Sequence, residues 1–268
     1  MAVTRRGFIY SAFILSVLCV LCIIISIISD SWVSVTLSAA SLERDSYLKY
    51  GLFSGELELY NLITPTYATF YMTCVPALNA CALSCKTEEE ARFIEVEAMA
   101  QGFWPSLGCG ATTEIDTIAP SDNPPVISFA FYVSLLTIIF LQLLLGIVSG
   151  GLAIVNACKN PVEPALGLPG CLWMNLATAV LGVIVLLLFG LYWLISGLKE
   201  HLAVSYIAQG VFEAAPTLGY SYLILITSVL CNLVNVGLIE LRVYLLERDP
   251  PSPVIEVDNH NHSSTLSY

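Results

Sequence analysis

The chain has 268 residues, of which 57% are hydrophobic and 12% charged, and it carries a formal net charge of −11. A soluble domain holds about one quarter charged residues, so this composition excludes one and defines a membrane protein. The acidic balance also argues against a nucleic-acid partner, whose phosphates are met by lysine and arginine.

Residues 1–6, with Thr4-Arg5-Arg6, lead into an uncharged run from Gly7 to Ser29. That run is long enough to cross the roughly 30 Å hydrocarbon core as a helix. A cleaved secretory signal has an apolar core of only about 7 to 15 residues ending at small residues, with Ser38-Ala39-Ala40 as the one such stretch here. The run is longer than that and continues into Asp30-Ser31-Trp32, so a first span is expected, with Trp32 as an interfacial aromatic.

Residues 30–125 form a large polar loop with 13 acidic and 4 basic side chains, a net of −9. Ser31 to Leu37 and Leu57 to Tyr71 are rich in Val, Thr, Tyr and Phe with partial alternation, which predicts strands. Thr87 with Glu90 three residues on is a capping-box signature, and Ala91, Ile94 and Ala98 then recur at helical spacing. Pro120-Ser121-Asp122-Asn123-Pro124-Pro125 is a breaker segment that leads back to the membrane. Four of the nine cysteines, Cys74, Cys81, Cys85 and Cys109, lie in this loop. In an oxidising compartment they make two disulfides, with three pairings open.

Three further spans follow, at 126–155, 170–197 and 219–239, joined by loops at 156–169 and 198–218 and ending in a tail at 240–268. An even count puts both termini on one side. Arg5, Arg6, Lys159, Arg242 and Arg248 flank that side against Lys199 on the other, so the termini are expected in the cytoplasm and the acidic loop outside. Tyr192, Trp193, Tyr220 and Tyr222 then fall at the outer interface and Trp173 at the inner one.

Few polar residues interrupt the spans: Gln142, Asn175, Asn232 and Asn235. Asn232 and Asn235 lie three apart on one helix face and are expected to bond across helices, for about 0.6 to 2 kcal/mol each. A transport pathway calls for ionisable groups at membrane depth, and the single candidate, Glu240, sits beside Arg242 near the inner interface. Gly146-x-x-x-Gly150, followed by Gly151, is a close-packing signature. It serves an internal contact more often than a partner helix.

Cys19-x-x-Cys22 has redox spacing but no charged or His neighbour to lower a thiol pKa, so packing is the preferred reading. His201, His260 and His262 have no metal-ligand spacing, and no catalytic constellation or cofactor pocket is evident. Cys158, beside Lys159, is a candidate for palmitoylation against the alternative of an idle thiol. In the tail, Leu266 and Tyr268 match the apolar terminal pattern that PDZ-domain scaffolds capture by strand addition. Pro250-Pro251-Ser252-Pro253 has PxxP spacing and reads as a polyproline II spacer.

One stretch of the long loop remains, Tyr50-Gly51-Leu52-Phe53-Ser54-Gly55-Glu56. Trp32 with Gly51-Leu52-Phe53 and the cysteines of the first loop resembles the claudin-like superfamily. Phe53 stands where claudins carry a second Trp, and Cys74 comes later than their first cysteine. The heptapeptide is similar to the clarin loop motif of Tyr-Gly-Leu-Phe followed by Gly-Glu, Asn235 with Gly237-Leu238-Ile239 is similar to the end of the clarin fourth helix, and the terminal Tyr268 fits.

The resemblance implies an all-α transmembrane, four-helix tetraspan bundle with a small disulfide-stabilised extracellular β-sheet, formed mainly by the first outer loop. It also implies a non-enzymatic organiser or accessory subunit at the plasma membrane of sensory or epithelial cells, with membrane or adhesion proteins as partners and a link to the cortical scaffold. Clarins usually carry an N-glycosylation site in the first loop. Here the sequon is Asn261-His262-Ser263, in the predicted cytoplasmic tail, and it is expected to go unused. The alternative function is a claudin-type paracellular cation channel or barrier, in which the acidic loop attracts cations.

Overall fold

A computed structural model of the chain describes residues 2–38, 44–61, 64–105, 109, 115–116, 125–158, 166–196 and 213–248. Four helices are long and apolar enough to cross a membrane: α1 (Ala2–Ile28), α3 (Phe129–Cys158), α4 (Leu168–Ile195) and α5 (Tyr220–Arg248). In lipid a backbone has no water to bond with, so these long apolar runs satisfy their own amides as helices. The helix α1 packs against α3 and α5, and α4 closes the ring by packing against the same two. A shorter helix, α2 (Glu89–Ala100), belongs to the first long loop.

That loop folds into β1 (Val33–Ser38), β2 (Ser46–Tyr50), β3 (Ser54–Asn61), β4 (Thr64–Val75), β5 (Ala80–Ser84), β6 (Trp104–Pro105), β7 (Ile115–Asp116) and β8 (Ile127–Ser128). A ninth strand, β9 (Glu213–Leu218), comes from the second loop on the same side. Seven of them form one sheet in the order β8-β5-β4-β3-β2-β1-β9, antiparallel throughout, while β6 and β7 pair apart from it. The expected small sheet is therefore a broad one. Short apolar strands such as Ala80–Ser84 lack the alternation that marks a strand in sequence, because both faces are buried.

The sheet is fastened to the bundle at both ends: β1 follows α1, β8 leads into α3 and β9 leads into α5. Val33, Val35, Leu37, Leu48, Tyr50, Leu57 and Phe70 occupy its buried face and join one core with Ile23, Leu135, Val185 and Leu225 of the helices. The period of two in β1 and β2 puts these residues on one face and Ser34, Thr36, Tyr47 and Lys49 on the other.

Several sequence expectations need correction. Leu57 to Tyr71 falls within two strands, β3 and β4, paired as a hairpin with Asn61 opposite Thr64. The helix α2 begins at Glu89, and its N-cap Glu88 makes no side-chain cap hydrogen bond, so the capping box from Thr87 does not form. Its buried face is Ala91, Glu95, Val96, Ala98 and Met99, whereas Ile94 is exposed. The polar Glu95 can lie inward because the Ser84 hydroxyl donates to its carboxylate. Of the aromatics near the ends of the spans, Trp173 and Tyr220 are exposed and Trp193 is buried, while Tyr192 stacks on Phe131 with centroids 3.9 Å apart and the Tyr222 hydroxyl donates to the Leu186 carbonyl at 3.0 Å. Trp32 is 1% exposed and belongs to the core shared by sheet and bundle.

The cysteine pairing left open by spacing is Cys74–Cys81 and Cys85–Cys109. The first pair bridges directly opposed positions of β4 and β5, and the second ties the segment after β5 to the chain beyond α2.

Candidate functional site

The residues of the first-loop motif converge on the joint between sheet and bundle. A helix leaves its last four carbonyls without intrahelical donors. At the end of α1 the indole N–H of Trp32 supplies one, donating to the Ser26 carbonyl at 2.7 Å. The Trp32 amide donates to the Tyr50 carbonyl at 2.9 Å, and the Trp32 carbonyl accepts from the Gly219 amide at 2.8 Å. Its ring meets Phe189 edge-on at 4.8 Å and Tyr222 at 6.2 Å. One residue thus touches α1, β2, α4 and α5.

Close approach explains the glycines. A Cβ on Gly51 would collide with the Ser29 carbonyl and one on Gly219 with the Ser31 carbonyl. At Gly55 a Cβ would stand 2.7 Å from the Lys49 carbonyl and from the Tyr50 Cβ. None of the three has a positive φ, so the need is space rather than backbone freedom. The turn is closed by the Gly51 amide donating to the Ser54 carbonyl at 2.7 Å and by the Ser54 hydroxyl donating to Asp30 Oδ1 at 2.5 Å. The Tyr132 hydroxyl of α3 donates to the Leu52 carbonyl at 2.9 Å. Burial pushes the Tyr50 phenol pKa up. Leu52 is buried, Phe53 is 42% exposed, and Glu56 is exposed opposite Lys49.

The polar residues of the spans meet inside the bundle. Asn235 donates through Nδ2 to the Ala12 carbonyl at 3.1 Å, Ser16 Oγ at 2.8 Å and Asn175 Oδ1 at 3.0 Å, linking α5 to α1 and α4. One turn away, Asn232 Nδ2 donates to Cys19 Sγ at 2.8 Å. Gly146 faces Val20 and Ile23 of α1 and Thr178 of α4, and Gly150 faces Ser16, while Gly151 has open space. Gln142 differs: it is fully buried, and neither amide atom has a hydrogen-bond partner. A Cβ on Gly182 would sit 2.6 Å from its Nε2. Cys19, Cys22, Cys158, Cys171 and Cys231 are free thiols, with Cys158 exposed at the end of α3 remote from the sheet.

On the solvent face of the sheet lies a cluster that spacing did not reveal. The Tyr60 and Tyr67 hydroxyls both donate to Glu58 Oε1, at 2.8 and 3.1 Å, and the Arg44 guanidinium sits 5.8 Å from the Tyr60 ring centroid. Hydrogen bonding to the Glu58 carboxylate raises both phenol pKa values. Sequence carried no signal for it, because Glu58 stands directly between Tyr47 and Tyr67 only once β2, β3 and β4 are paired. Glu88, Glu89 and Glu90 are exposed at the start of α2, where a helix dipole favours negative charge.

Among the described residues no group of three or more His, Cys, Asp or Glu is arranged to hold a metal ion. Leu266, Tyr268, the proline-rich tail segment, Asn261, Lys159, Lys199 and the three histidines lie outside the described residues. The fold defines a multi-pass membrane protein: a four-helix bundle carrying a disulfide-bonded antiparallel sheet at one end. No family model matches the chain, and no curated protein matches it.

Proposed function

We propose that this chain is a clarin-like, non-enzymatic membrane organiser: its sheet and bundle bind other membrane or adhesion proteins, and its tail links them to a cortical scaffold in sensory or epithelial cells. The observation that carries the reading is the joint. Trp32, Tyr50, Gly51, Leu52 and Gly55, the residues on which the clarin resemblance rests, meet in one place and fasten a broad sheet to the bundle. A rigid platform of this kind lowers the entropy lost when a partner docks.

In this reading the sheet faces the cell exterior, where its two disulfides persist, and both termini are cytoplasmic. Leu266 and Tyr268 engage a PDZ-domain scaffold and Cys158 carries a palmitoyl group that holds the end of α3 at the inner leaflet.

The test is conductance, with the Na⁺ to Cl⁻ permeability ratio, across an epithelial monolayer expressing the chain or a version with Glu88, Glu89 and Glu90 neutralised. An organiser leaves both quantities unchanged while deletion of residues 266–268 speeds its lateral diffusion. A shift in ion preference on neutralising the glutamates replaces this reading with the claudin-type channel.

A further inference from the structure

The β3–β4 hairpin has a strand edge that no described strand covers. The Met72 amide donates to the Phe53 carbonyl at 2.8 Å, and hydrogen-bonded pairs alternate along an antiparallel ladder. With Ser54 opposite Tyr71 and Asn61 opposite Thr64, the even-numbered residues of β4 bond to β3 and the odd-numbered ones turn their polar groups away. Those of Tyr71, Thr73 and Val75 meet β5. Those of Pro65, Tyr67 and Thr69 meet no strand among the described residues. Pro65 lacks an N–H, which leaves its carbonyl and the N–H and C=O groups of Tyr67 and Thr69 along the edge. Tyr67 is 69% exposed, and Thr64, Thr66 and Thr69 are exposed with it.

The surface beside this edge is acidic and aromatic. Across the sheet the register sets Tyr47, Glu58 and Tyr67 in one row and Lys49, Glu56 and Thr69 in the next. Tyr60 and Tyr67 are held by the same Glu58 oxygen, so both rings are fixed before anything binds. The other carboxylate oxygen of Glu58 takes no hydrogen bond from a described residue, and Glu56 is exposed. An added strand would lie about 9.6 Å from β3, two strand spacings, with Tyr67 between. A guanidinium or ammonium on that strand would cross the Tyr67 ring to reach Glu58, gaining cation–π and charge attraction.

We infer that this edge receives an extended segment of a basic partner protein, which pairs with residues 65–69 and carries arginine or lysine at alternate positions toward Glu58 and Glu56. A second copy of this chain is the weaker occupant, because the first loop carries a net of −9 and would face its own sign. The inference deepens the organiser reading and rests on it for the existence of a protein partner.

The test pans a library of random nonapeptides against the full chain in lipid nanodiscs, and compares binding of the enriched peptides to Thr69→Pro, Thr69→Ser and Glu58→Gln variants. Thr69→Pro removes one outward N–H, a substitution that edge strands accept, and leaves the β3 ladder intact. The expected peptides carry Lys or Arg at i and i+2, lose at least tenfold in affinity to Thr69→Pro and to Glu58→Gln, keep it with Thr69→Ser, and weaken as salt rises. Peptides without that alternation, affinities indifferent to both variants, or no enrichment at all would overturn the inference. So would cross-linking of one chain to another through Tyr67→Cys, which would make a second copy the occupant. The organiser reading is judged apart from these outcomes, by the monolayer conductance.

Discussion

The indole of Trp32 caps the helix that precedes it by donating to the Ser26 carbonyl at 2.7 Å, so the first residues of the sheet and the last turn of α1 form one unit. Trp32→Phe keeps the ring contact with Phe189 but leaves that buried carbonyl without its donor, a loss of about 1 to 3 kcal/mol. Trp32→Ala also leaves a cavity, and large-to-small core changes of this type cost about 3 to 5 kcal/mol. Thermal unfolding midpoints in detergent micelles should fall in the order wild type, Phe, Ala; equal midpoints would remove the capping role.

Glycines of this chain separate into those that need space and those that do not. Gly51→Ala would drive a methyl into the Ser29 carbonyl, with Asp30 Cα only 2.9 Å away, and both neighbours are backbone. Overpacking of this kind costs about 1 to 3 kcal/mol or more. Gly151→Ala and Gly237→Ala meet nothing within 4 Å and should be neutral. Yield of monodisperse protein across the three variants checks the contrast.

Gln142 makes an unusual forecast. Its amide is buried with neither atom bonded, so Gln142→Leu should stabilise the bundle, by up to about 1 to 3 kcal/mol if the apolar side chain fills the site. Asn235→Leu, which removes bonds to α1 and α4, should destabilise it by about 0.6 to 2 kcal/mol. Denaturation by graded SDS measures both, and a destabilised Gln142→Leu would mean that the amide has a partner.

The two disulfides differ in the length of chain they close. Their sequence separations are 7 and 24, for which the loop-entropy relation gives about 2.5 and about 3.5 kcal/mol. The Cys85→Ser/Cys109→Ser pair should therefore lower the melting temperature more than Cys74→Ser/Cys81→Ser. Peptide mapping without reduction should return Cys74–Cys81 and Cys85–Cys109; any other pairing contradicts the fold.

The phenols of Tyr60 and Tyr67 are held protonated by Glu58. A pKa raised in the folded state favours folding fully below the unfolded value, about 10 for tyrosine, and that contribution is lost as pH rises through the folded value. In an alkaline absorbance titration at 295 nm, the difference between wild type and Tyr60→Phe/Tyr67→Phe should show two phenols ionising above the ordinary range. Glu58→Gln should bring them back toward it.

Helices were readable from the sequence because lipid demands long uncharged runs: α3 and α4 begin within three residues of Val126 and Gly170, and α1 begins five residues before Gly7. The polar asparagines were readable for the same reason, since a carboxamide in a bundle has few places to turn. The sheet was harder. β5 is buried on both faces and β9 is exposed along most of its length, so neither alternates. The Leu57 to Tyr71 run hid a reversal between Asn61 and Thr64 because the alternation persists on both sides. Trp32 was legible as a special position but not as a core one, because its burial depends on Phe189 and Tyr222 from distant helices.

The pairing of β1 with β9 sets an order of assembly. Val33 faces Leu218 and Ser38 faces Glu213, so the two halves of that ladder emerge from the ribosome some 180 residues apart, as the Thr217 hydroxyl bond to the Ser34 carbonyl across 183 positions illustrates. Strands β1 to β5 can pair while the chain is half made, but the outer flank of β1 stays bare until β9, made after α4 and before α5, has emerged. A chain stalled or cut before residue 213 would display that flank to chaperones, and release from them would report that synthesis has passed α4 and completed β9.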